Sequence, residues 1–242
     1  MRVAHIFNKG DFVGADFGDE LVEKKSGQVS ASQTNTSSLR KMPNQRRSRE
    51  RVENILGCAV ELIAKSGSDA MRMNEVARLC GISIGSLYQY FPDKGAIIQT
   101  LAERYNAQGK DCIEAGLAHV STTEELCDAF GALIDEYYEL FLAEPVMCDI
   151  WSGTQVDQAL REIELASSRE NGAELVKVLM RLGSAMEEDD LAAAAFLVMH
   201  LGEATMRLAI SVSPDEGERL VTAYKRIALT ELRRIVQGEV TP

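Results

Sequence analysis

Between Asn74 and Lys94 the chain reads NEVARLCGISIGSLYQYFPDK, a run that leaves very few ways to fold. Val76, Ala77 and the pair Leu79-Cys80 recur at helical spacing, Gly81 interrupts them, and Ser83 stands where a side-chain oxygen can receive the orphan amides of a second helix. Two short helices therefore meet at a glycine turn. Gly81 suits the left-handed conformation of a sharp helix exit, and Ala77 is small enough for the second helix to cross closely over the first. Ile82 and Leu87 are expected to face inward and fix the crossing angle. The second helix, roughly Ile84 to Tyr90, leaves Ser83, Ile84, Ser86, Tyr88, Gln89 and Tyr90 for outside surfaces. Hydroxyls, an amide and aromatic rings suit phosphates and base edges better than a core, so this helix-turn-helix pattern points to a protein that reads double-stranded DNA.

A net charge of −11 looks wrong for that purpose until it is divided along the chain. Residues 43–106 carry nine basic and seven acidic side chains, whereas residues 107–242 carry eleven and twenty-five. The basic residues gather just ahead of the helix pair, at Arg46, Arg47, Arg49 and Arg51. Phosphate affinity follows a local basic face and not the whole-chain balance. An acidic body would also turn DNA away from the wrong side.

The 242-residue chain is long enough for one large or two modest domains, and its 45% hydrophobic content with only five prolines predicts an all-α protein. No apolar run approaches the ~20 residues of a membrane span, and no secretory signal is legible, so a cytoplasmic protein is expected. Cys58, Cys80, Cys112, Cys127 and Cys148 lack metal spacing and read as structural thiols; neither metal nor cofactor is expected.

Three regions follow. Residues 1–45 are expected to form a disordered extension, ending in the polar run SGQVSASQTNTSSLRK; Met42 is also a candidate alternative start. Residues 46–106 form the helix-turn-helix domain, opening with an amphipathic helix from about Arg47 that carries Val52, Ile55-Leu56, Ala59-Val60 and Ile63 on one stripe. Residues 107–242 form a helical effector-binding and dimerisation domain. A long helix capped by Asp93 and running to about Leu117 joins the two; Ser121 with Glu124 suggests a capping box for the next. Further helices are expected from about Val156 to Leu182, from about Leu191 to Ile210, and from Ser213-Pro214 to about Val236. The run LAAAAFLVMHLGEATMRLAI is apolar on nearly all sides, so the last two helices are the expected homodimer interface.

The stretch AMRMNEVARLCGISIGSLYQYFPDKGAII resembles the DNA-binding domain of the TetR/AcrR family of transcriptional regulators in its Val-Ala pair, its Gly-Ile-Ser and its Leu-Tyr-Gln-Tyr-Phe run followed by Lys. The resemblance implies a homodimer on a palindromic operator, acting as a repressor released when a small molecule enters the C-terminal domain. It places Ser83, Ile84, Gly85 and Ser86 at the groove-facing start of the recognition helix. It places Tyr88, Tyr90 and Lys94 at phosphate or flanking-base positions, and Asn74 at a contact position of the preceding helix. Arg72 and Met73 depart from the family's common Thr or Ser, which replaces a phosphate-binding cap by a longer cation; Gly95 replaces a common acidic residue.

For the effector, Tyr137, Tyr138, Trp151, His200, Glu203 and Arg207 are the candidate pocket residues, with His200 and Glu203 interrupting an apolar helix at i, i+3 spacing. An apolar pocket favours a small-molecule effector and a filled core favours a protein partner; activation instead of repression also fits the motif. An enzyme is the distant third reading. The only histidines are His5, His119 and His200, and no catalytic triad, zinc or phosphate-loop arrangement is present.

Overall fold

Glycines and side-chain caps punctuate the chain into helices, and in the computed structural model, which describes residues 38–153 and 157–238, every regular element is an α-helix. In order these are α1 (Ser38–Ser66), α2 (Met73–Leu79), α3 (Ile84–Tyr90), α4 (Lys94–Leu117), α5 (Thr123–Ala143), α6 (Pro145–Ser152), α7 (Gln158–Arg181), α8 (Glu188–Ile210) and α9 (Pro214–Gln237). The described residues are thus all-α, as the periodicity predicts. Their helix α1 starts nine positions before Arg47, so residues 38–45 are helical and not part of an extension: Leu39, Arg40, Lys41 and Met42 are among the better helix formers. The extension expected over residues 1–37 lies outside the described residues.

Local chemistry sets the boundaries. Gly67 ends α1 with φ +80, and Gly81 turns between α2 and α3 with φ +66, both in the region that strains any side chain. Ser83 Oγ accepts from Ser86 N (3.1 Å) and Asp93 Oδ1 from Ala96 N (2.9 Å), capping α3 and α4. The start of α5 lies one residue beyond the expected Ser121–Glu124 box. Thr122 Oγ1 accepts from Glu125 N (3.1 Å), and the Glu125 carboxylate accepts from Ser121 N (2.8 Å) and Ser121 Oγ (2.7 Å). The reciprocal pair therefore forms around Thr122 and Glu125, where the cap keeps its three-residue spacing.

One apolar core runs through both halves. Ile55, Leu56 and Ala59 of α1 pack with Val76, Ala77 and Leu87 of the helix pair, and Ile97, Leu101 and Tyr105 carry this cluster along α4 into α5–α9. Ile82 is half-buried against it. The Arg104 guanidinium of α4 grips the Glu53 carboxylate of α1 through both its terminal nitrogens, one at 2.6 Å, fixing the angle between the joining helix and the first. Helix α6 wedges Val146, Met147, Ile150 and Trp151 into the same core.

Helix α8 is, by length and composition, apolar enough to cross a membrane, and among the described residues no other helix is. Here it packs against α7 and α9 while Leu197, Leu201 and Leu208 remain exposed; α9 adds an exposed Ile227. Its approach to α9 depends on Gly217, where a Cβ would lie 2.5 Å from Ala209 O and 2.7 Å from Tyr138 Oη.

A Gly217→Ala substitution must therefore push backbone against backbone. It should lower stability by about 1–3 kcal/mol. Gly57→Ala, in α1 with nothing within 4 Å of the added methyl, should raise it by about 0.5–1 kcal/mol. Urea unfolding at one fixed protein concentration checks the pair, and equal effects of like sign would refute the packing argument.

Candidate nucleic-acid interface and internal cavity

The cap at Ser83 and the buried Leu87 hold α3 against α1 and α2 and turn its other face to solvent. Ser83, Ile84, Gly85, Tyr88 and Gln89 are exposed there, and Ser86 is half-buried. Tyr88 is 50% exposed, too open for a core aromatic, whereas Tyr90 is half-buried and packs on the core. Because Ser83 Oγ already accepts the Ser86 amide, its hydroxyl hydrogen is what it can offer a phosphate. Arg72 and Asn74 at the start of α2 are exposed, and Arg72 occupies the N-cap without a side-chain cap hydrogen bond. At the start of the described side chains, Arg46 pairs with Glu50 at 2.9 Å in open solvent, and Arg47 is exposed beside it.

Lys94 sits differently from the others. Its half-buried ammonium donates to Ser68 O (3.4 Å) and Asp69 O (3.1 Å), bracing the turn that follows α1. Ser68 N in turn donates to Asp149 Oδ2 of α6 (2.9 Å). Gly67 is required at this junction on two counts: its φ is positive, and a Cβ would come 3.1 Å from Asp149 Oδ1.

Between α4, α5, α6, α7, α8 and α9 lies an internal cavity of about 80 Å³. This is several times the ~10–15 Å³ that one water requires, and below the ~300–1,000 Å³ of drug-sized sites. Its wall is mostly apolar and aromatic, including Tyr105, Phe130, Met147 and Trp151. The polar part includes Asn106, Tyr137, Ser167, Asn171 and Glu203. Tyr137 Oη donates to Glu203 Oε2 at 2.7 Å. Burial pushes the Glu203 carboxyl up to about 7; the Tyr137 hydrogen bond opposes this, the charge of Glu164 adds to it, and Arg207 subtracts. Burial likewise raises the Tyr137 hydroxyl well above its ordinary value, with Glu203 reinforcing the effect. Asn171 is buried, and its Oδ1 has no hydrogen-bond partner among the described residues.

Of the six side chains expected to form a pocket, Tyr137, Trp151 and Glu203 line this cavity, and three do not. Tyr138 turns to the next face of α5, toward Gly217 at the start of α9. His200 stacks on Phe196 and meets Ser168 Oγ through Nδ1 at 3.3 Å. Arg207 forms a buried ion pair with Glu164. One turn along a helix is enough to separate Glu203 from these neighbours. Asn171 was not anticipated. Its one sequence signal is the run Glu164, Ser168, Asn171 at helical spacing, which ordinarily marks a solvated face but is buried here. Among the described residues no cluster of three or more metal-ligating side chains occurs. Cys112 and Cys127 are buried, and Cys58, Cys80 and Cys148 are half-buried and free.

Residues 55–101 match the family model described as bacterial regulatory proteins, tetR family, and residues 124–236 match that of a tetracyclin repressor-like C-terminal domain. The chain is 28% identical over 115 residues to the HTH-type transcriptional regulator YvdT of Bacillus subtilis (strain 168), a match covering 46% of this chain and 57% of that protein. It is 36% identical over 67 residues to the HTH-type transcriptional repressor KstR of Rhodococcus jostii (strain RHA1), covering 26% of this chain and 32% of the repressor. The chain thus spans little more than half, or less, of the curated relatives it matches. A TetR-family regulator from Streptomyces coelicolor shares the fold with TM-score 0.60 at 21% identity, over 76% of this chain and 99% of that one.

The raised Glu203 carboxyl has a thermodynamic consequence. Between about pH 4.5 and 7 the folded chain holds a proton that the unfolded chain has released, so stability falls as pH rises through that window. Glu203→Gln should remove this loss, which amounts to at most about 3 kcal/mol. Urea titrations at pH 5 and 8 should show the wild type weakening relative to the variant; parallel profiles would place the titration elsewhere.

Proposed function

Because the chain belongs to the TetR family of bacterial transcriptional regulators, we propose that it is a cytoplasmic, homodimeric repressor which holds a palindromic operator and releases it when a small molecule fills the internal cavity. The observation that carries this reading is the connection of that cavity to the recognition module by one short helix. Met147 and Trp151 of α6 line the cavity, while Asp149, between them, holds the turn leading from α1 to α2.

The DNA contacts divide by chemistry. Ser83, Ile84, Gly85 and Ser86 enter the groove, with Ile84 able to touch a thymine methyl and unable to hydrogen-bond a base. Tyr88, Gln89 and Tyr90, with Arg46, Arg47, Arg72 and Asn74, hold backbone or flanking positions; the Lys94 ammonium, already shared by two carbonyls, acts by bracing the module. A dimer must bring two such helices to half-sites about 34–36 Å apart, one turn of DNA, or a multiple of it. A ligand that binds better when α4 and α6 hold another spacing shifts the population away from DNA. Repression, as in KstR, is the sign we assign. The cavity favours a small molecule over a protein effector.

For DNA binding, fragments selected from genomic DNA supply the operator for gel shifts. Tyr88→Ala should weaken binding about tenfold or more across operator variants, and Arg47→Ala should lower the salt slope by about one. Ile84→Ala should change sequence preference. Unaltered operator affinity in Tyr88→Ala at moderate salt would overturn the assignment of that face.

For assembly, the exposed Leu197, Leu201 and Leu208 of α8 with Ile227 of α9 support an isologous helical interface. The double substitution Leu201→Glu with Ile227→Glu should convert dimers to monomers in sedimentation analysis and abolish operator binding. A dimer that survives both changes would move the interface elsewhere.

A further inference from the structure

Three properties of the cavity bear on the charge of its occupant. No Lys, Arg or His lines it, and the guanidinium that acts on Glu203, that of Arg207, is committed to Glu164. One carboxylate stands in its wall, that of Glu203, of which Tyr137 engages one oxygen; Asn171 lines it too, with its own Oδ1 shielded and without a partner among the described residues. Aromatic rings from four helices form much of the remaining wall, those of Tyr105, Phe130, Tyr137, Trp151 and Tyr224.

An anion would meet an acceptor set of its own sign and no donor charge, so carboxylates and phosphates are excluded by repulsion and desolvation. A neutral hydroxyl can donate one hydrogen bond to Glu203 but brings no charge to it. A primary ammonium brings both. It can donate to Glu203, neutralise the carboxylate in its low-dielectric setting, and rest on the aromatic faces, which attract cations and repel anions. The modest volume limits the body of the molecule to about one ring.

Resting on the reading of this cavity as the effector site, we propose that its ligand class is the compact aromatic or alicyclic amine, bound as an ammonium on the Glu203 carboxylate against the aromatic wall. The raised proton affinity of Glu203 agrees with this, since a buried carboxylate whose hydrogen-bond partner is a neutral phenol is what a bound cation would relieve.

The chain has a single tryptophan, Trp151, and it lies in the cavity wall, so its emission reports occupancy without DNA. Full-length protein is titrated at pH 7.5 with four probes of nearly equal size: benzylammonium chloride, benzyl alcohol, sodium benzoate and toluene. Benzylammonium should bind at least tenfold more tightly than benzyl alcohol, with benzoate weakest. Glu203→Gln should bring benzylammonium to within about threefold of the alcohol while toluene binding stays measurable, which shows a folded cavity. Equal or tighter binding of the alcohol or benzoate, an amine preference that survives Glu203→Gln, or no change in emission with any probe would each overturn the proposal. Amine binding that leaves operator affinity intact would uphold the ligand class and refute the effector reading, so the two fail separately.

Discussion

The hydrogen bond from Ser68 N to Asp149 is the contact on which the proposed communication across this molecule depends. It joins the turn that ends α1 to an eight-residue helix whose other side chains are sunk in the core of the second half. Helix α6 has little freedom of its own. Its Val146, Met147, Ile150 and Trp151 are almost wholly buried, so any repacking of the cavity wall must be taken up by a rigid-body shift of α6 or by its neighbours. With Gly67 held in a positive-φ turn against the Asp149 carboxylate, and with Lys94 bridging Ser68 and Asp69, such a shift is passed to the start of α2. The Arg104–Glu53 fork ties α4 to α1 in parallel. Two independent ties act on one small module, so under the proposed mechanism a change of cavity shape would reorient it as a body instead of loosening it.

The polar groups between α5, α7 and α8 follow the same logic. Glu164, Arg207, Glu203 and Tyr137 sit within an otherwise apolar region, where burying them costs stability unless each finds a partner. Arg207 and Glu164 answer each other. Glu203 has only a neutral phenol, and Asn171 Oδ1 has nothing among the described residues. A core selected for stability alone would replace such groups by leucine, and on the proposed reading their presence marks the place where binding is favoured over packing.

How much of this is legible in the sequence depends on how local the signal is. The glycine turn at Gly81, the Ser83 and Asp93 caps and the apolar stripes are set by neighbours within one or two turns, and periodicity finds them. The Thr122 cap is missed by one residue because two adjacent hydroxyl–glutamate pairs compete and only the backbone geometry decides between them. The cavity is less legible still. Trp151, Tyr137 and Glu203 stand out by residue type, but which face of α5 turns inward depends on how its neighbours pack, and that choice separates Tyr137 from Tyr138; His200, Glu203 and Arg207 share one stripe of α8 and are separated by their height along the helix, which periodicity does not resolve. Asn171 gives almost no local signal, since its meaning comes from α8 closing over it. Gly172 permits that closure: a Cβ there would sit 3.0 Å from Phe196 N.

The same distinction bears on how the recognition helix reads DNA. A reading face that begins with Ile84 and spends its first serine oxygen on capping has few hydrogen bonds left for base edges, and its aromatic and basic groups are suited to the backbone. In the proposed dimer, discrimination then falls on apolar contact, on the shape and deformability of the duplex, and on the distance between two rigidly held helices. Distance is also the quantity that α4 and α6 would control there. A protein whose specificity rests on spacing is more easily released by a small internal rearrangement than one whose specificity rests on many individual base contacts, because one displacement misaligns both half-sites at once.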